Sequence, residues 1–241
     1  FTIHSFPTRR SSDLIDELEF GQPCGGLEAP RSGEYQDLPS TLRADCSLYD
    51  HQRLGYAWMR WLALSDSSSY KGGLLADDMG LGKTLQTLAV LAKMKEDGIG
   101  GPYLVVAPVS LLENWKREAY RFFPGVFEDI MIAAGHRDLP KGPAGGQARS
   151  KQERAFADLM READLVLTSY GTLRAHQMSF ARVMWSCVVL DEAQRAKNPR
   201  TLISMTVKSL KSRASYALTG TPVENSFAEL WNIMDFVNPG L

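Results

Sequence analysis

The chain has 241 residues, more than the roughly 100–200 expected of one domain and fewer than two large ones need. A hydrophobic content of 44% and a charged content of 23% are those of a folded protein and exclude wholesale disorder. Lys+Arg 27 against Asp+Glu 28 leaves a formal charge of -1 and a pI near 6.5, so no overall cationic field draws the chain to nucleic acid or membrane, and any polyanion must meet a local patch.

The first fourteen residues carry no fold signal. Phe6 to Leu14 (FPTRRSSDL) reads either as an in-frame translation of a sequencing adapter or as a polar, disordered tail. Residues 15–46, with Gly, Pro and acidic residues and little periodicity, read as an irregular lead-in. Residues 47–241 have the pattern of one domain. Ser47, with Asp50 three residues on, predicts a capping box opening a helix through LYDHQRLGYAWMRWLAL. After the polar break SDSSSYKGG, GGLLAD predicts a short buried strand. KTLQTLAVLAKMKED then predicts a helix with Leu85, Leu88, Ala89 and Ala92 on one face and Gly98 near its end. YLVVAP predicts the next strand, and Ser110 with Glu113 predicts a second box opening the helix after it. DIMIAA follows, then the polar insertion GHRDLPKGPAGGQARSKQ and a helix near Glu153–Arg161. DLVLTS, CVVLDEA and SYALTGT are further apolar runs, and the last helix is expected to open at Ser226 with Glu229 completing a third box. Six short apolar strands alternating with helices predict an α/β fold, one parallel sheet covered by helices on both faces.

Cys24, Cys46 and Cys187 lack metal-ligand spacing and leave one cysteine over, which fits a reducing compartment. No apolar run approaches the roughly 18 residues of a membrane span, and no signal-peptide pattern opens the chain. The expectation is a soluble intracellular domain with no membrane partner.

Two stretches carry chemistry. Leu75-Ala76-Asp77-Asp78-Met79-Gly80-Leu81-Gly82-Lys83-Thr84 lies between a predicted strand and a predicted helix. Glycines let a chain curl closely enough to aim backbone N–H groups at a triphosphate, and the helix N-terminus adds a favourable dipole. Lys83 then suits the β- and γ-phosphates, and the Thr84 hydroxyl suits Mg²⁺. The strict phosphate-loop pattern asks for Gly five positions before Gly82, where this chain has Asp77. The second stretch, Val188-Val189-Leu190-Asp191-Glu192-Ala193-Gln194, ends another apolar strand. Two adjacent acids there can divide a task, Asp191 holding a hydrated metal and Glu192 orienting or deprotonating the attacking water. The plainer readings are a Gly-rich turn for the first stretch and an acidic helix N-terminus for the second.

Six ordered blocks spread over residues 38–241 resemble the first RecA-like domain of Swi/Snf-type DNA translocases, within the second helicase superfamily. Leu48-Tyr49-Asp50-His51-Gln52, with Gly55 and Trp58, resembles the adenine-reading Q-motif region. LADDMGLGKTLQT resembles motif I, including the acidic pair where the strict template wants Gly. VVAPVSLLENWKRE resembles motif Ia, LVLTSYGTLR motif Ib, VVLDEAQRAKNP motif II and ALTGTPVENS motif III. The resemblance implies a RecA-like phosphate-loop fold that uses ATP and Mg²⁺. It implies that Gln52 bonds the adenine edge, that Asp78, Met79, Gly80, Leu81, Gly82, Lys83 and Thr84 cradle the nucleotide, and that Thr84 and Asp191 hold the metal. Lys83, Asp191 and Glu192 would be the catalytic set, while Gln194, Thr219 and Thr221 would link nucleotide state to the DNA-binding surface. Pro108, Ser110, Asn114, Trp115, Thr168, Ser169 and Tyr170 lie in blocks that face the DNA-tracking strand in relatives.

Departures are visible as well. His51 stands where an aromatic usually precedes the Q-motif glutamine, and Gln194 where many relatives have His. The chain ends at Leu241, where relatives enter a second RecA-like domain carrying arginine fingers. The resemblance therefore implies the ATP-binding half of an ATP hydrolase acting on double-stranded DNA, with the second domain of the same parent chain as partner. Little hydrolysis is expected from this half alone. A nucleotide-dependent binding switch is the alternative, and an unrelated phosphate-loop kinase would leave motifs Ia, Ib and III as coincidence. The DEAQ box points to a bacterial chain working in the cytoplasm or nucleoid; a eukaryotic one would work in the nucleus.

Weaker candidates are the basic run Arg195, Lys197, Arg200, Lys208, Lys211 and Arg213, either a DNA-facing patch or a solvated face. His136 and His176 pair with nothing recognisable, Cys187 reads as inert core, and Trp58, Trp61, Trp115, Trp185 and Trp231 read as core or interface aromatics.

Overall fold

The computed structural model describes residues 3–4, 37–64, 72–137, 139–141, 146–221 and 227–240. The six predicted strands form: β2 (Gly72–Leu75), β3 (Tyr103–Ala107), β4 (Ile130–Ile132), β5 (Leu165–Ser169), β6 (Met184–Asp191) and β7 (Lys211–Leu218), preceded by a two-residue β1 (Ile3–His4). They make one seven-stranded sheet in the order β1-β2-β7-β6-β3-β5-β4, and every pairing is parallel. β1 lies in the segment to which the sequence assigns no fold. It pairs Ile3 with Leu74 and His4 with Leu75, because the outer edge of β2 offers free backbone groups to any extended segment.

Alternate residues of each strand feed two cores. Tyr103, Val105 and Ala107 of β3 pack on one face with Val189, Tyr216 and Leu218. That face is covered by α1 (Asp50–Leu64), α2 (Lys83–Glu96) and α3 (Val109–Phe122). Leu104 and Val106 pack on the other face with Val188, Leu190 and Ala217. There the cover is α4 (Gln147–Glu162), α5 (Tyr170–Ala175), α6 (Gln177–Phe180), α7 (Leu202–Lys208) and α8 (Phe227–Val237). Burial on both faces is why these strands read as unbroken apolar runs rather than alternating ones. The helix α2 is more enclosed than a one-faced pattern predicts. It is wedged between α1 and α3, and Gln86 through Ala92 are all buried. Its end follows expectation: Gly98 at φ 81 gives its N–H to Lys95 O, and Ile99 gives its N–H to Met94 O at 2.8 Å, the two bonds of a Schellman stop.

The expected capping boxes fail at two helices. α1 starts at Asp50, so Ser47 is not its cap; the return half of the box is made instead by Gln52 Oε1, which accepts from the Tyr49 N–H at 3.0 Å. α3 starts at Val109, because β3 runs to Ala107 and leaves one residue for the turn. Pro108 is the cap residue and no side chain caps the helix, so Ser110 sits in the first turn. Side-chain caps occur where none was expected, Ser169 accepting from Thr172 N–H and Thr201 from Ser204 N–H. Ser226, expected to open α8, lies outside the described residues. The described part of the lead-in is irregular yet tied down: Glu96 accepts from the hydroxyls of Ser40 and Thr41, and Arg60 pairs with Asp37.

Register aligns the carboxyl ends of five strands. Leu75 pairs with Leu218, Leu218 with Asp191, Val106 with Leu190, and Ala107 with Ser169. The loops after β2, β7, β6, β3 and β5 therefore open on one edge of the sheet, the edge where open α/β sheets hold ligands. Among the described residues no helix is long and apolar enough to cross a membrane.

Candidate nucleotide site

The loop between β2 and α2 takes its shape from two glycines and a buried acid. Gly80 and Gly82 have φ of 84 and 81, the left-handed region that other residues rarely enter. Nothing crowds Gly80, whereas a Cβ on Gly82 would overlap the Gln52 amide nitrogen. Asp77, where the strict pattern wants glycine, is not among the positive-φ residues, so that position needs no glycine. Its side chain is wholly buried and Oδ2 accepts from Gln86 Nε2 at 3.1 Å, while burial raises its carboxyl above the ordinary range. The Lys83 ammonium is turned onto its own loop, 2.7 Å from Asp77 O and 3.0 Å from Asp78 O. No side chain caps α2, so the amides of its first turn have no side-chain acceptor. Asp78, Met79 and Gly80 are exposed, and Leu81, Gly82, Lys83 and Thr84 half-buried. An uncapped 14-residue helix behind a glycine loop, with an ammonium that carbonyls hold in place of an anion, fits a phosphate chain.

Two strands away, Asp191 ends β6 and is 7% exposed. Its Oδ1 accepts from the Glu192 N–H at 3.0 Å and its Oδ2 from the Trp115 indole N–H at 2.9 Å. Burial raises its carboxyl, and the indole bond works against that rise. A carboxylate has about four acceptor sites, so two bonds leave others for a cation, and this donor set suits Mg²⁺. Glu192 is the one described non-glycine residue at positive φ, 52. Strain of this kind gathers at functional sites, at roughly 1–3 kcal/mol each. A chain of bonds leads away from it: Gln194 Nε2 donates to Glu192 Oε2 at 2.6 Å, Thr219 Oγ donates to Gln194 Oε1 at 2.9 Å, and the Thr221 N–H donates to Thr219 Oγ at 3.0 Å. The three residues expected to couple nucleotide state to movement are thus joined in series to the acid. Gly220, between the two threonines, faces Met79 of the phosphate loop.

Gln52 is buried at the rim of this loop, with Nε2 3.1 Å from Leu81 O in addition to its bond from Tyr49. One N–H and one lone pair remain for a base edge. Sequence reasoning passed over Tyr49 itself. It is 72% exposed and its ring lies over His51, 5.9 Å between centroids at 11°, so an aromatic surface stands beside the loop although position 51 is His.

The residues placed by resemblance on DNA divide by burial. Ser110 is exposed and Pro108 and Asn114 are half-buried, Asn114 donating to Glu118 and accepting from Arg117. Trp115, Thr168, Ser169 and Tyr170 are buried. Trp115 serves Asp191, Ser169 caps α5, and the Tyr170 hydroxyl donates to Asp191 O at 2.8 Å. The basic run is no single patch either. Lys197 pairs with Glu229 and Lys208 with Asp235, while Lys211 and Arg213 begin β7, at the end of the sheet opposite the site.

The His176 ring lies 3.4 Å from Arg149 and His136 tilts against Phe156. Cys187 is buried, its thiol pushed far up by desolvation. Trp58 and Trp185 are core, Trp61 is half-buried and Trp231 is 51% exposed. Among the described residues no cluster of His, Cys, Asp and Glu could hold a further metal.

A family profile described as the SNF2-related domain matches residues 51–241. The Zorya protein ZorD of Escherichia coli O139:H28 is 41% identical over 215 residues, covering 85% of this chain and 20% of that protein. The putative ATP-dependent helicase/translocase YwqA of Bacillus subtilis is 37% identical over 243 residues, covering 95% and 24%. The chain thus spans a quarter or less of the length of these curated relatives. Among solved structures, the Sulfolobus solfataricus SWI2/SNF2 ATPase core in complex with dsDNA superposes with a TM-score of 0.67 at 38% identity, covering 84% of this chain and 37% of that one. Profile, relatives and fold agree with the phosphate loop and acidic pair assembled at one sheet edge: the chain belongs to the SNF2-related family, as a Swi/Snf-type RecA-like ATPase domain.

Proposed function

We propose that this chain binds ATP with Mg²⁺ and is the ATP-binding half of a translocase that acts on double-stranded DNA. The observation that carries the reading is the placement of Lys83, Thr84, Asp191 and Glu192 at the aligned carboxyl ends of β2 and β6. Lys83 exchanges two carbonyl partners for phosphate oxygens, and the α2 amides take the remaining charge. Gln52 and Tyr49 receive the base. Thr84 and Asp191 hold the metal, which offsets phosphate charge when bound. Glu192 orients the water and takes its proton, and Gln194 passes the state of that acid to Thr219 and Thr221. Pro108, Ser110 and Asn114 are the DNA-side residues of this proposal, Ser110 and Asn114 donating to phosphates rather than bases and Pro108, which has no N–H, setting the turn before α3.

Transition-state charge in phosphate-loop enzymes needs an arginine finger, worth on the order of 10³–10⁵ in rate. By resemblance that group comes from a second RecA-like domain, so this chain binds ATP and turns it over slowly, close to the switch-like alternative. Titration with labelled ATP tests the site: Lys83→Ala removes a charge-assisted phosphate contact and weakens binding, and an unchanged affinity would overturn the assignment. Fast DNA-stimulated turnover by this chain alone would overturn the need for a second domain.

A further inference from the structure

Asp191 is gripped by two buried aromatic side chains from two different elements. Trp115 belongs to the inward stripe Leu112-Trp115-Ala119 of α3 and is 1% exposed. Tyr170, the first residue of α5, is 4% exposed. The indole N–H meets the side-chain Oδ2 of Asp191 at 2.9 Å and the phenol O–H meets its main-chain oxygen at 2.8 Å. The two helices follow β3 and β5 and pack on opposite faces of the sheet, so the grip closes on Asp191, at the end of β6, from both faces. A phenylalanine would fill nearly the same core volume at position 170 and part of it at position 115. What Trp and Tyr add is one directed donor each, and both donors converge on one residue.

We propose that Trp115 and Tyr170 are positioning residues for the metal-holding carboxylate. The indole, together with the Glu192 amide on Oδ1, fixes the rotation of the Asp191 carboxylate, and the phenol fixes the backbone that carries it. Groups that orient a ligating carboxylate in this way are typically worth about 10–100-fold in metal affinity. The proposal rests on the reading of Asp191 as the metal-holding acid.

The test uses Trp115→Phe and Tyr170→Phe, which keep a ring and delete the N–H or O–H. Binding of a fluorescent ATP analogue is titrated with Mg²⁺, then repeated in EDTA, with thermal melting alongside. Trp115→Phe raises the Mg²⁺ concentration at half-effect by about 10-fold or more, Tyr170→Phe raises it by less, and both leave binding in EDTA within about twofold. Midpoints unmoved in both variants would overturn the proposal. So would equal losses with and without Mg²⁺, since those assign the pair to packing alone. Should Trp115→Phe not fold, the near-isosteric Tyr170→Phe decides by the same two readouts. Asp191→Asn is the control: if it leaves the Mg²⁺ dependence unchanged, the reading of Asp191 has failed rather than that of its brace.

Discussion

Gly55→Ala reverses the usual sign for a glycine inside a helix. Position 55 lies within α1, where alanine would ordinarily gain about 1 kcal/mol. Here a Cβ would overlap Gln86 Oε1 and stand 3.3 Å from its Cδ and 3.5 Å from a Leu75 methyl. Gln86 and Leu75 are wholly buried, so neither can swing into solvent. Overpacking of such a core costs about 1–3 kcal/mol. Driving Gln86 off the Asp77 carboxylate leaves a buried polar group unsatisfied, at about 1–3 kcal/mol more. Set against the helix gain, the net loss is about 1–5 kcal/mol, and a mid-range loss of about 3 kcal/mol lowers Tm by roughly 6–12 °C for a domain of this size. Urea unfolding gives the number and labelled-ATP binding shows whether the phosphate loop moves with Gln86. In a Gln86→Ala background the methyl has room, so adding Gly55→Ala there costs little. A Gly55→Ala protein as stable as wild type, or the same loss in both backgrounds, refutes the argument.

The two acids of motif II separate by mutation. In a longer chain carrying the second RecA-like domain that the proposed function calls for, Glu192→Gln keeps an oxygen for the Gln194 amide, so ATP binding survives while turnover is lost; near-normal hydrolysis would remove Glu192 from the chemistry. Asp191→Asn weakens Mg²⁺-dependent binding as well, because an amide nitrogen must then face the Trp115 or Glu192 donor; intact Mg²⁺ dependence would count against that geometry. Stability has its own acid. Burial pushes the Asp164 carboxyl up, but Lys95 at 2.5 Å and the amides of Asp129 and Glu128 bring it below its ordinary 3.8. A lowered folded pKa means stability that is present above the unfolded value and lost as pH falls through the folded one. The gap between wild type and Asp164→Asn in urea unfolding should therefore be full at neutral pH and close below about pH 4; a gap that widens on acidification contradicts the assignment.

The sheet was legible because its strands are buried on both faces, so β2 through β7 stand out as apolar runs whatever the order of pairing. The glycine loop after β2 and the acidic pair after β6 stand out in the sequence because each is a local pattern, and the register brings both to one edge of the sheet. The N-terminal caps of α1 and α3 were not legible, since a cap depends on where the preceding element stops: β3 runs to Ala107, so α3 starts at Val109 and Ser110 already lies inside it. The bonds from Trp115 and Tyr170 to Asp191 were not legible for a different reason. A motif places a block near a ligand without saying which of its side chains point there. The spacing Leu112-Trp115-Ala119 did carry a signal, a helical stripe turned toward the core. The bond to Asp191, 76 residues away, has no counterpart in any local pattern.

The placement of Asp77 shows why this loop departs from the strict glycine pattern without losing its shape. A backbone that curls around phosphate needs left-handed residues only where it reverses, and Gly80 and Gly82 supply both. Asp77 does a separate job at the start of the curl: its side chain is anchored to Gln86 of α2 and its carbonyl receives Lys83. The anchor reaches from the strand end to the helix, so the loop is held at both ends before any nucleotide arrives. Gln52 closes the remaining side through Leu81 O, and the methyl that any larger residue would bring at position 82 would strike its amide. The loop that results is held by its own contacts, and in the proposed site the Lys83 side chain would exchange its two carbonyl bonds for phosphate oxygens. Preorganisation of this kind lowers the ordering cost of binding, and it ties the shape of the site to the packing of α1 on α2.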